Sequence, residues 1–498
     1  SRHPLCGVVS IWYSRFGKGR KLMDVTSQNF IPLTDVALED DNLQAALKQL
    51  SGRLAAGRTA GVAELPEFDQ LRVAARDIKN HVLQHLDLYL EAFAQQVENQ
   101  GGTVHWASSE DDARQIVLDL CRSVDAKRVT KSKSMVTEEI NLVPFLESHG
   151  LETVETDLGE YIIQLRGEKP SHIVAPAVHL SKEQVSETFF EHHRKLGFNE
   201  KITDRGALVA EARQVLREKF LAADVGISGA NFLVAETGTI VLVTNEGNAE
   251  LTTALPKTHI VVTGIEKIVP TLEDVSTFVR ILARSALGAD ISAYTSFITG
   301  PKRDGDHDGP ENFHVVLVDN GRSEMLGGDF QDMLRCIRCS ACLNHCPVYL
   351  SVGGHAYGSV YSGPMGAVLT PQLATLDAAK HLANASSLCG RCESVCPVMI
   401  PLPQLLRQWR DKESEQKLSP TGMRWGLKLW AWVGQHPMLY RVITVVANQL
   451  LNRWPRQANG FIQKLPLLVG AWTQHRDLRR PEQGTFSQQY RKAGGQRV

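Results

Sequence analysis

From Pro66 to Val97 the apolar residues Leu71, Ala75, Ile78, Val82, Leu86, Tyr89, Phe93 and Val97 fall at steps of three or four. That rhythm predicts one long amphipathic helix, opened by Pro66 in its first turn and stopped by Gly101-Gly102. A weaker repeat over Asn42 to Leu54 predicts a second helix, and together they form a helical cap over residues 23–102. After Gly102 the pattern changes to short apolar runs between helices. These are Thr103–Trp106, a helix to Val124, Arg128–Val129, another helix to about Ser148, then Glu152–Glu155 and Tyr161–Leu165. Such alternation continues to about Asp319 and predicts an α/β domain over 103–320, an open, mostly parallel sheet with helices on its faces. Phe232–Val234 and Thr239–Val243, joined by Ala235-Glu236-Thr237-Gly238, predict a β-hairpin inserted in that sheet.

Gly300 to Pro310 is a polar, glycine-rich loop, and from Gly321 the spacing of cysteines replaces hydrophobic period as the main signal. Beyond Trp409 come Trp425, Trp430, Trp432, Trp454 and Trp472, interleaved with Arg424, Lys428, Arg441, Arg453 and Arg456. Helices of this kind cover a protein surface or lie on a membrane interface. Pro437, Pro455 and Pro466 cut the segment into pieces too short for strong interfacial binding, which favours packing on the protein itself or on a partner, with peripheral membrane contact as the alternative. The chain is thereby divided into an extra segment 1–22 outside the fold, the cap, the α/β domain, a mainly helical domain over 321–410 and a Trp-rich helical tail over 411–498.

Seven of the nine cysteines lie in two runs, Cys336-x2-Cys339-x2-Cys342-x3-Cys346-Pro347 and Cys389-x2-Cys392-x3-Cys396-Pro397. This is ferredoxin spacing. Thiolates at such intervals wrap three corners of an Fe4S4 cube, and the Cys-Pro residue ligates the neighbouring cluster. Cys336, Cys339, Cys342 and Cys396 are expected on one cluster, and Cys346, Cys389 and Cys392 on the other. A full second run would carry a further cysteine at the position of Ser386. The second centre is therefore an Fe3S4 cluster, or an Fe4S4 cluster whose last iron takes a serine oxygen, water, a substrate or a partner's group. Structural zinc also uses CxxC pairs, but two Cys-Pro endings have no purpose in a zinc ribbon. His355, in a glycine-rich stretch between the runs, is a further candidate for the open iron. Cys121 follows Ile116, Val117 and Leu120 on a helix and is expected in the core.

Composition narrows the class. A net charge of −1 with 22% charged residues gives no basic footprint for nucleic acid. No run of 18 uncharged apolar residues is present, so no spanning helix is expected and the protein should be soluble. Intact thiolates imply a reducing compartment. Residues 1–22 mix aromatic and basic side chains without the apolar core of a secretory signal, and Met23 is the expected native start.

The loops after the predicted strands carry Lys131, Lys133, Glu155, Asp157, His179, Asn231, Glu236 and Asn248. Ligands of open parallel sheets bind outside the carboxyl ends of the strands, so these residues are expected to share one pocket. The lysines would hold a carboxylate or phosphate, and Glu155, Asp157 and His179 would offer acid, base or hydrogen-bonding groups. Taken singly, each is as readily a solvated side chain or a turn.

The strings Lys131-Ser-Lys-Ser-Met-Val-Thr-Glu-Glu, Glu155-Thr-Asp-Leu-Gly-Glu-Tyr, Pro170-Ser-His-Ile, Asn245-Glu-Gly-Asn, Arg335-Cys-Ile-Arg-Cys and Ser386-Ser-Leu-Cys-Gly together resemble the lactate utilization protein B family. The similarity runs from about Phe30 to the final residues. The family also has serine at the position of Ser386, whereas Ser340 replaces a glycine usual in the first cluster loop. The resemblance implies the iron–sulfur subunit of a cytoplasmic complex that oxidises L-lactate to pyruvate. Its companions would be a cysteine-rich subunit and a second subunit with a lactate-utilization domain; the electron acceptor is unknown. No GxGxxG fingerprint or flavin motif is present, so hydride chemistry would belong elsewhere. Two other readings remain open: lactate oxidation by this chain itself, in the α/β pocket or at the open iron, and a redox-sensing or scaffold role. Catalytic residues are unassigned.

Overall fold

The computed structural model describes residues 23, 25–454, 460–465, 470, 473, 477–481 and 484–494. The expected extra segment 1–22, Cys6, Arg456 and Trp472 lie outside them. Contacts divide the chain into two compact units, one ending at Gln416 and the other beginning at Lys417.

The first unit is built on a six-stranded parallel sheet: β1 (Thr103–Ala107), β2 (Arg128–Lys131), β3 (Glu152–Glu155), β4 (Val225–Ser228), β7 (Thr258–Gly264) and β10 (Asn312–Val318), in the order β1-β10-β7-β4-β2-β3. Every residue of β7 is buried, because helices cover both faces and a central parallel strand must be apolar throughout. On one face Val117, Leu118, Cys121 and Leu146 pack against Ile227, Ile260 and Val316. On the other, Leu86, Leu90, Phe93 and Val97 pack against Val261, Val315 and Leu317. The hairpin of β5 (Phe232–Val234) and β6 (Thr239–Thr244) is not inserted in this sheet. It pairs with β8 (Ile268–Val269) and β9 (Tyr294–Ile298) in a second, four-stranded sheet of order β8-β5-β6-β9. Local pattern identifies a hairpin but not which edge will accept it.

Three further expectations are corrected. The helix expected from Pro66 to Val97 is two, Phe68–Gln84 and Leu86–Asn99, parted at His85. The three-four rhythm runs unbroken through the joint because Val82, Leu86, Leu90, Phe93 and Val97 all enter one core. The expected strand Tyr161–Leu165 lies in the helix Leu158–Arg166, capped by the Asp157 side chain and closed by Gly167 in the left-handed region. The second cap helix runs from Asp41 to Ala63, with another from Phe30 to Glu39 before it. Its Gly57 and Gly61 admit a close crossing: a Cβ on Gly61 would lie 2.2 Å from the carbonyl oxygen of Gly288, at the end of the helix Leu272–Leu287.

The segment after β10 folds against the carboxyl end of the sheet and the cap. Arg72 donates to the carbonyls of Ser394 and Cys396 at 3.1 and 3.0 Å, and Arg58 to that of Val395 at 3.1 Å. Tyr349 donates to the carbonyl of Ser171 at 2.7 Å, and Gly354 passes so close to Ser171 that a Cβ would meet its oxygen at 1.8 Å. The second unit holds the helices Thr421–Gly434 and Pro437–Arg453 and a short antiparallel pair, Phe461–Ile462 with Leu478–Arg479. Among the described residues no helix is long and apolar enough to cross a membrane.

Candidate metal centres and the adjoining cavity

The two cysteine runs fold alike. In the first, Ser340 (φ 64°) precedes the short helix Ala341–Asn344; in the second, Gly390 (φ 80°) precedes Arg391–Ser394. A left-handed residue at this point turns successive thiols toward one side of the chain, and Arg338 at φ 60° adds a second such turn. Cys336, Cys339, Cys342 and Cys396 come together around one small cavity walled by Ile337, Met365, Val398 and Ile400. The N–H of Arg338 points to Cys336 Sγ and that of Ile400 to Cys396 Sγ, both at 3.4 Å. Cys346 stands instead with Cys389 and Cys392. Burial, with Cys346 and Cys389 beside it, pushes the Cys392 thiol up to about 12. The last cysteine of each run has thus crossed to the thiols of the other. Ser386 is half-buried, and its hydroxyl accepts from the N–H of Leu388 at 3.1 Å.

The donor set fits a metal cluster. Burial raises the thiols of Cys339, Cys342 and Cys396, so without metal they hold their protons, and metal binding would release them. Two orphaned hydroxyls lie beside them: Ser340 Oγ and Tyr357 Oη are buried with no partner, and Tyr357 is close enough to feel both Cys346 and Cys342. Cluster sulfides are acceptors for such donors. Once ionised, Cys336 would act on Lys79, Lys267 and Arg338, and Cys339 on Arg58, so the first thiol set sits among cations. In contrast to the other six, Cys389 is exposed, Cys336 being half-buried and the remainder buried.

Beside the first set, at the carboxyl ends of β2, β4 and β7, lies a cavity of about 250 Å³ that Cys339 itself helps to line. The structure divides the eight residues expected to share a pocket. Lys133, Asp157, Asn231 and Asn248 line this cavity. Lys133 Nζ donates to the carbonyl of Val174 at 2.8 Å and lies 3.4 Å from Asp157. Asn248 donates to Thr156 Oγ1 at 3.3 Å, and Asn231 Oδ1 accepts from the N–H of Val243 at 2.9 Å.

The other four lie elsewhere. Lys131 is fully buried, with its ammonium 2.8 Å from Glu155, 3.1 Å from Glu138 and 3.6 Å from Glu160. Burial opposes its charge, but Glu155 and Glu160 hold its pKa well above the ordinary lysine range. Burial in turn raises Glu155 and Glu160, since one ammonium cannot neutralise three carboxylates. Glu155 faces a separate acidic cavity with Glu110, Glu138 and Glu147. His179 is held by Glu168 at 2.8 Å and Ser171 at 2.9 Å and packs edge-on against His355, on a third cavity. His355 spends its Nε2 on the carbonyl of Lys169 at 2.7 Å. Glu236 is exposed and accepts from the N–H of Leu272, the first residue of its helix.

Sequence reasoning missed the charged residues that join the cavity to the thiols. Arg322, fully buried, grips Glu139 with two nitrogens at 2.9 and 2.6 Å and stands 2.8 Å from Glu266, too poorly aligned there for a hydrogen bond. Tyr361 donates to Glu139 at 2.6 Å, and Arg338 lies 3.4 Å from Glu266 with its guanidinium over the Tyr361 ring. Burial opposes the charge of Glu266, yet Arg322 and Arg338 hold its pKa at about 2. Lys267 and Arg338 both line the cavity. A charged pair, Glu266-Lys267, interrupting the apolar run from His259 to Val269 was the available signal.

Models of three families match the chain: LUD domain at residues 90–318, 4Fe-4S dicluster domain at 332–400, and lactate utilisation protein B, C-terminal, at 400–494. The chain carries iron–sulfur clusters. It is 46% identical to lactate utilization protein B of Shouchella clausii over 93% of its own length and 96% of that protein's. It is 45% identical to the protein of the same name from Geobacillus kaustophilus, over 92% and 96%. An uncharacterized electron transport protein, YkgF of Escherichia coli, is 43% identical over 91% and 94%. Among solved structures, a DUF162 family protein from Deinococcus radiodurans aligns at 16% identity over 47% of this chain and 98% of that one. Its TM-score of 0.27 is too low to bear on the fold.

Proposed function

The chain belongs to the lactate utilization protein B family, and from that premise we propose that it is the iron–sulfur electron-transfer subunit of a complex that oxidises L-lactate to pyruvate. The observation that carries this reading is the pairing of two adjacent thiol sets of different exposure. The first has no exposed cysteine and adjoins a cavity, and the second reaches the surface at Cys389. Bound clusters would supply one-electron transfer between an interior and an exterior point.

Cys336, Cys339, Cys342 and Cys396 would hold an Fe4S4 cluster. Cys346, Cys389 and Cys392 would hold a second, Fe4S4 or Fe3S4, whose fourth ligand is Ser386 or a group from outside. Arg58, Lys79, Lys267 and Arg338 offset the negative charge of the interior thiolates, and the N–H groups of Arg338 and Ile400 fix their direction. The companions would be a cysteine-rich subunit and a second subunit with a lactate-utilization domain, in the reducing cytoplasm where thiolates persist.

Anaerobically purified protein should contain about seven to eight irons per chain. Its EPR signal should develop on adding L-lactate together with the companion subunits. Stoichiometric zinc in place of iron would overturn the reading.

A further inference from the structure

We propose that the cavity at the carboxyl ends of β2, β4 and β7 binds a small monocarboxylate, with Lys267 as its counter-ion and Cys339 on the same lining. Lys267 is 7% exposed and lines the cavity, yet it donates no hydrogen bond and makes no ion pair among the described residues. Glu266 and Cys336 act on its charge without direct contact; a buried ammonium lacking a contact partner is costly, and an anion in the cavity lowers the cost. Thr263, 1% exposed on the same lining, has a hydroxyl that also lacks a partner.

Charge selects the ligand class. Apart from Cys339, the ionisable groups of the lining are Lys133, Lys267, Arg338, Asp157 and Glu246; burial, with Asp157 nearby, raises the Glu246 carboxyl and so disfavours its charge. Lys133 is engaged with Asp157 and the Val174 carbonyl, and Arg338 with Glu266, so Lys267 is the cation left for the ligand. One free cation suits a monoanion rather than a phosphate dianion. At about 250 Å³ the cavity is below the range of drug-sized ligands and far too small for a dinucleotide. Leu242, Val262, Leu282 and Ala286 offer an apolar wall for a short carbon chain, and Asn231 and Asn248 offer amides for a hydroxyl or carbonyl beside the carboxylate. A short 2-hydroxy or 2-oxo acid meets all three conditions.

The position of the ligand against Cys339 rests on the reading of that residue as a cluster ligand, whereas the anion site does not. The test is calorimetric titration of the anaerobic full-length protein with L-lactate, pyruvate and the neutral analogue lactamide. Both acids should bind and lactamide should not. Lys267→Met should weaken the acids by at least about tenfold, with Lys267→Arg partly restoring affinity; iron is measured in each variant, because Lys267 also lies among the cations near Cys336. Ser292→Tyr, on the half-buried part of the lining, should block binding while leaving Lys267 in place, and it serves if Lys267→Met does not fold. The reduced EPR spectrum should shift on adding either acid in the wild type and not in Lys267→Met. Equal binding of lactamide, or unchanged affinity in both variants, overturns the site. Acid binding without any cluster signal would leave the site standing and remove the electron carrier; cluster reduction through the companions without acid binding would do the reverse.

Discussion

Cys396 lies 54 positions beyond Cys342, yet the two thiols line the same small cavity. Cys396→Ser is therefore expected to abolish the EPR signal that depends on Cys336, Cys339 and Cys342, and to spare the one lost in Cys389→Ser. If both substitutions removed the same signal, the crossed assignment would fail. Ligand spacing of this sort is legible because the rule is local and survives without knowledge of the fold. The buried ion network is not, since Glu139, Glu266, Arg322 and Tyr361 meet from four distant segments and look singly like surface residues. Breaking a buried pair leaves an uncompensated charge and costs about 3–5 kcal/mol, against about 0–1 for an exposed one. Glu139→Ala should accordingly lower unfolding free energy by about 3–5 kcal/mol in denaturant titrations. Glu152→Ala, whose carboxylate is 43% exposed between Arg128 and Lys219, should change it by less than about 1 kcal/mol.

The Pro170-Ser-His-Ile segment is a joint between the α/β layer and the cluster-bearing segment. His172 is 1% exposed; its Nδ1 accepts from the N–H groups of Val174 and Ala175 at 3.1 and 3.0 Å, which puts the proton on Nε2, donating to Asn344 at 2.9 Å. Asn344 in turn donates to the carbonyl of Ala286 at 3.2 Å. Burial, with Lys133 opposing further charge, lowers the His172 pKa from 6.5 to about 4. The unfolded chain takes up the proton first, so the stability contributed by neutral His172 is complete above pH 6.5 and drains away as pH falls toward 4. His172→Asn should be less stable than wild type at pH 7, by up to about 3 kcal/mol, with the gap narrowing through that window. A gap independent of pH would show that the imidazole's charge state is irrelevant to the joint. Element type was read correctly wherever period and caps agreed. It failed at Leu158–Arg166, where an apolar run hid a capped helix, and at His85, where the hydrophobic phase carried through a break.

At the scale of the whole chain, the second unit differs from the first in having no buried residue in either long helix. Trp425, Leu429 and Trp432 recur at steps of four and three, which places them on one face of the helix Thr421–Gly434, and they are 68%, 62% and 51% exposed. Large exposed apolar faces mark interaction sites. The tryptophan enrichment was visible in the sequence, but what covers it was not, because a helix face carries no record of its partner. In the proposed complex the natural occupant is a companion subunit. Changing Trp425 and Trp432 together to Lys should leave iron content and the cluster spectrum intact while reducing co-purification with the companions by about tenfold or more, since buried tryptophans are the commonest interface anchors. Sedimentation with anionic lipid vesicles is the complementary measurement. Binding that is strong in the wild type and lost in the double variant, with assembly unaffected, would assign the stripe to a membrane surface instead. Loss of iron from the variant would mean that the stripe is needed for the chain's own fold.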